Sequence, residues 1–168
     1  MAFELKRGKD FPILTEGNHP AVLAAFVDQG EKEGPYGTQD QVIAIWVTHE
    51  VDQENGEPML GIQFLSKSTH PESNMGKVIK AVTGQVPKED FSFDDLMLLL
   101  GKQATISTEH VTKDGKTKSK IILVSKANPK AEKVVVPEDW TVPEGLTKGA
   151  VEGGVYTQDS VEKAAAGF

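Results

Sequence analysis

Between His19 and Lys126 three β-rich runs precede two short stretches of helical spacing, and two more β-rich runs close the series; this order restricts the fold more than any other feature. Ala21 to Val27 is apolar enough for a strand buried on both faces, and Asp28-Gln29-Gly30 ends it. Glu31 to Asp40, punctuated by Gly34-Pro35 and Tyr36-Gly37, reads as a mobile loop. In Gln41 to Glu50 a period of two puts Val42, Ala44, Trp46 and Thr48 on one face. Ile43, Ile45 and Val47 fall on the other, which is the more core-like set. Asn55-Gly56 then turns the chain into Pro58 to Ser66, where Leu60, Ile62 and Phe64 share a face.

Ser73 is placed to cap a helix whose Met75, Val78, Ile79 and Val82 make one apolar stripe, and Gly84 is its stop. After Ser92 the residues Phe93, Leu96, Met97 and Leu100 repeat that spacing, with Asp94 and Asp95 in the first turn and Gly101 at the end. Gln103 to Val111 and Ser119 to Ser125 form a last hairpin around Lys113-Asp-Gly-Lys116. The order β-β-β-α-β-β predicts a mainly β fold, a five-stranded Greek-key barrel of the oligonucleotide/oligosaccharide-binding (OB) type with one or two short helices between strands three and four. The domain is expected over residues 1–128, with 1–17 as an N-terminal arm. From Pro129 to Phe168 the Pro, Gly and Ala texture predicts an extended, flexible C-terminal tail with Trp140 as its one large anchor.

At 168 residues the chain suffices for one domain and an appendage. No apolar run approaches the length of a membrane span and there is no cysteine, so the expectation is a soluble, cytoplasmic protein without disulfides or thiol chemistry. A net charge of −7 works against a polyanionic partner at long range, but the charge is unevenly spread. Lys102 to Lys133 holds eight lysines against three acids, enough for one basic surface on an acidic body. The competing explanation is that these lysines protect an exposed hairpin from edge-to-edge aggregation.

No phosphate-cradling glycine loop, zinc-protease helix, serine-hydrolase elbow or kinase signature is present, so neither an enzyme nor a cofactor is expected. His49-Glu50 and Glu109-His110 are the one pairing with metal-ligand chemistry, and a metal-dependent nuclease would need them to converge. Adjacent strand residues point to opposite faces, which disfavours both members of a couple holding one ion.

A single nucleic-acid strand needs cations along its phosphates and flat faces for its bases. Trp46 is the first candidate platform, Tyr36 in the first loop the second, and Phe64 the third; the ordinary alternatives are a core Trp, a turn aromatic and a core Phe. Lys113, Lys116, Lys118 and Lys120 flank the last turn as a phosphate clamp, with Lys67 and Lys77 extending the track; solubility is the alternative for all six.

Over residues 17–129 the chain resembles phage-encoded OB-fold single-stranded-DNA-binding proteins of replication and recombination. The resemblance lies in the order of Gly17-x-x-Pro-Ala-Val22, Gly34-Pro-Tyr-Gly37 before Ile45-Trp46, Leu65-Ser-Lys-Ser68 to Ser73-Asn-Met-Gly-Lys77, Phe93-Asp-Asp-Leu-x-x-Leu-Leu-Gly-Lys102 and the His110 to Lys116 hairpin. It implies sequence-tolerant binding of single-stranded DNA in the host-cell cytoplasm, no catalysis, and a tail that recruits replication or recombination proteins or competes with DNA; a homo-oligomer is left open by the sequence. The terminal Ala-Ala-Gly167-Phe168 departs from the acidic Pro-Phe ending of the bacterial pattern. The leading rival is an OB scaffold that binds protein, as a replication adaptor or a DNA-mimicking inhibitor of a host enzyme, with the acidic surface as its working part.

Overall fold

The computed structural model describes residues 13–35 and 37–158. It is mainly β: one antiparallel sheet carries β1 (Gly17–Gly34), β2 (Gly37–Val51), β3 (Pro58–Ser66), β4 (Gln103–Lys113) and β5 (Lys116–Lys126) in the order β3-β2-β1-β4-β5, and β6 (Val155–Thr157) also pairs with β1. The helices are short: α1 (Asn74–Thr83), α2 (Phe93–Met97) and α3 (Glu144–Thr147). No helix among the described residues is long and apolar enough to cross a membrane.

Both sides of β1 are used. β2 pairs with Ala21 to Gly34, while on the other side β4 pairs with Gly17 to Val22 and β6 with Ala25 to Val27. The predicted loop Glu31 to Asp40 is instead ladder for most of its length, since Glu31, Lys32, Glu33 and Gly34 pair with Asp40, Gln39, Thr38 and Gly37. Lys67 fastens the base of this ribbon, its Nζ lying 2.7 Å from Asp28 Oδ1 and 2.8 Å from Asp40 Oδ1.

Bulges set which side chains point inward. A register shift between Leu23 and Ala25 turns Ala24 and Ala25 to the same outer face, so that Leu23 and Phe26 both enter the main core. Val42, Ala44 and Trp46 of β2 join them there, with Leu65 of β3, Met75, Val78 and Ile79 of α1, and Ile106 of β4. Helix α1 forms where its apolar stripe predicts. Ser73 accepts a hydrogen bond from the Gly76 amide at its start, and Gly84 takes a left-handed conformation at its end.

The two margins of the sheet approach one another. β1 is antiparallel to β2 and β4, which are antiparallel to β3 and β5, so β3 and β5 run parallel. They meet at Gly61, where an added Cβ would lie 2.6 Å from Ile106 Cδ1 and 3.1 Å from Ile121 Cδ1. Side chains make this junction; no hydrogen-bonded ladder joins β3 to β5, and the sheet is not closed.

Two expectations are corrected here. Ile43, Ile45 and Val47 face outward, and the Trp46 side of β2 is the interior. The chain from Val134 to Val155 also does not stand apart from the sheet, while residues 159–168 of the expected tail lie outside the described residues: Val134 and Val136 pack on Val22, Ala24 and Val47, and Trp140, Val142, Leu146 and Ala150 cover Ala25, Val27, Ile43 and Ile45. Backbone bonds clip it down, Val151 N–H to the Asp28 carbonyl at 2.9 Å and Asp28 N–H to the Gly154 carbonyl at 2.7 Å. The physical reason is one and the same. An Ile-Ile-Val face left in water would cost about 1.5–3 kcal/mol per side chain, and the segment with Trp140 removes that cost.

Candidate nucleic-acid interface

Register on the last hairpin decides how its lysines stand. Ile106 pairs with Val124 and both are buried, so by alternation Ser107, Glu109, Val111 and Lys113 of β4 point outward. Their partners Leu123, Lys120, Lys118 and Lys116 do the same. Lys113, Lys116, Lys118 and Lys120 therefore share one exposed face, the three on β5 in steps of about 6.8 Å, the scale of one nucleotide step in an extended strand.

Asp114 at φ 54° and Gly115 at φ 75° form the tight turn that sets Lys113 directly opposite Lys116. Like charges facing each other across a ladder repel. Among the described residues none of these four lysines has a carboxylate within ion-pair distance, although Glu109 stands across from Lys120. The face therefore carries four lysines and Glu109, a net positive cluster.

The other candidates divide. Trp46 is fully buried between Leu23 and Gly61 on the neighbouring strands, its Nε1–H pointing to Gln63 Oε1 at 3.4 Å, so it cannot offer a ring face to a base. Lys67 is held by Asp28 and Asp40 rather than free for phosphate. Burial works against its charge, but the hydrogen bonds and fields of those two carboxylates outweigh burial and raise its pKa above the ordinary lysine value. Lys77 is exposed on α1, away from the hairpin in sequence. Tyr36 lies outside the described residues. Phe64 is 63% exposed on the outer face of β3, opposite Ile43.

The histidine–glutamate couples serve other purposes. His110 Nε2–H donates to the Leu14 carbonyl at 2.7 Å, His49 Nε2–H to the Glu132 carbonyl at 2.9 Å, and Glu50 Oε2 accepts from the Thr15 amide at 3.2 Å. These bonds tie the entering and leaving segments to the sheet. No cluster of three or more His, Asp or Glu suited to one metal ion occurs among the described residues.

Two cavities, of about 120 Å³ beside Pro20 and Gln103 and about 200 Å³ between α1 and α2, are smaller than the ~300 Å³ at which small-molecule pockets usually begin. No family model matches the chain, and no curated protein is similar enough to register as a relative.

Sequence reading missed Ile122 and Leu123. Each is 54% exposed, because a bulge opposite Ser107 and Thr108 leaves Ile122 without a partner while Leu123 faces outward. The run Ile121-Ile122-Leu123-Val124 has no period of two from which this could be read; only the ladder shows it.

Proposed function

We propose that the chain is an OB-type barrel that binds single-stranded DNA without strong sequence preference, through the outer face of the β4–β5 hairpin. One observation carries the reading: four lysines stand together on that face with no carboxylate within ion-pair distance, two of them directly opposed, on a protein of net charge −7. An opposed pair of this kind costs stability until an anion lies across it, and a phosphate backbone supplies one charge per nucleotide.

The barrel assignment is supported by the antiparallel meander β1-β2-β3, by β4 pairing with β1, and by α1 falling between the third and fourth strands. A role in phage replication or recombination rests on the sequence resemblance alone. Anisotropy titration of labelled oligo-dT, duplex DNA and RNA of equal length tests the reading. Oligo-dT should bind at low salt, and the slope of log K against log[salt] should be about −2 to −3 if three or four lysines each neutralise one phosphate. Absence of oligo-dT binding at low salt would overturn it.

A further inference from the structure

The outer surface of β2 and β3, where an OB barrel commonly holds its ligand, is here occupied by the protein's own Trp140, Val142 and Leu146. That cover reaches Leu60 and Ile62 but leaves Phe64, on the same face, 63% exposed. Across the junction at Gly61 and Ile121, β3 and β5 run in parallel, so Phe64 lies three residues beyond the contact on β3 and Leu123 two residues beyond it on β5. Both point outward, and Ile122 stands exposed beside Leu123. Large apolar side chains bared together at one margin of a sheet mark a contact surface.

Building on the single-stranded-DNA reading, we infer that the strand's bases lie over this β3–β5 seam, with Phe64 as the stacking platform and Ile122 and Leu123 as the apolar floor, rather than along β2 and β3. The lysines select this occupant. On β5 the outward series Lys116, Lys118, Lys120 leads straight into Leu123, so a chain whose phosphates follow the lysines brings its bases to the bare apolar margin. Duplex DNA keeps its bases stacked inside and has nothing to lay there, whereas a single strand presents both parts at once.

Full-length protein is titrated with fluorescein-labelled dT12 and with an abasic strand of the same length, in the wild type, Phe64→Ala and Leu123→Ser. Phe64→Ala should weaken dT12 binding roughly 5- to 150-fold, the range of one lost base stack. Leu123→Ser should weaken it by a smaller factor. Neither should change abasic-strand binding or the salt slope. Wild-type affinity for dT12 in both variants would place the bases elsewhere and overturn the inference while leaving the function intact; failure of the wild type to bind dT12 would remove the function itself. If Phe64→Ala loses both strands together with its thermal transition, Phe64→Leu decides: it keeps the apolar volume without the π face, so weaker dT12 binding upholds the stack and unchanged binding refutes it.

Discussion

Trp46 fills the interior with its ring between Leu23 and Gly61, so its removal is a packing event and not the loss of a ligand contact. Trp46→Phe should lower stability by about 1–3 kcal/mol in urea denaturation while leaving oligo-dT affinity within twofold at a temperature where the variant is folded. A large affinity loss in a stable variant would contradict this placement. Lys116 predicts the opposite pattern. Relieving its repulsion with Lys113 by Lys116→Gln should raise the stability of the free protein by about 0.2–1 kcal/mol at low salt, yet weaken DNA binding and flatten the salt slope by about 0.7. Both measurements use the same variant, so a gain in stability without loss of binding would assign these lysines to solubility.

Lys67 joins three strands at one point, since Asp28 belongs to β1, Asp40 to β2, and Lys67 follows the last residue of β3. Because its pKa is raised in the fold, the pairing contributes fully below the ordinary value of 10.5 and is lost as pH climbs through the higher folded value. Lys67→Met should therefore cost about 1–2 kcal/mol near neutral pH, and the gap from wild type should shrink in denaturation at strongly alkaline pH. The segment over the outer face can be probed in the same way. Trp140→Ala should cost about 2–3 kcal/mol and increase dye binding to exposed apolar surface, because Ile43, Ile45 and Val27 lose their cover. An unchanged urea midpoint would mean that this segment adds nothing to the fold.

For the molecule as a whole, charge and topology divide the surface. Ten of the eighteen Lys and Arg lie outside Lys102 to Lys133 among most of the acids, so under the proposed function repulsion by the body and attraction by the hairpin would together confine DNA to one side. The sheet is two-sided for a related reason. One apolar face of the sheet packs together with α1, and the other, which the five strands leave uncovered, is sealed by the chain from Val134 to Val155.

The order of β1 to β5 along the chain, both caps of α1 and the Asp-Gly turn of the final hairpin were legible in the residues, because each depends on neighbours a few positions apart, Ser73 on Gly76 and Lys113 on Lys116, whereas α2 ends at Met97, short of the Gly101 expected to stop it. The common face of the four lysines is also local, since the ladder stays in step from Glu109 and Lys120 to the turn; which way Ile122 and Leu123 face was not legible, because the bulge at Ile122 breaks the alternation there. Which side of β2 is interior depended on contacts from residues nearly a hundred positions away, as Trp140 and Val142 meet Ile43 and Ile45. Local spacing carries period and turn chemistry; inside and outside are assigned by whatever distant segment arrives to exclude water, and that choice hid Trp46 and left Phe64 bare.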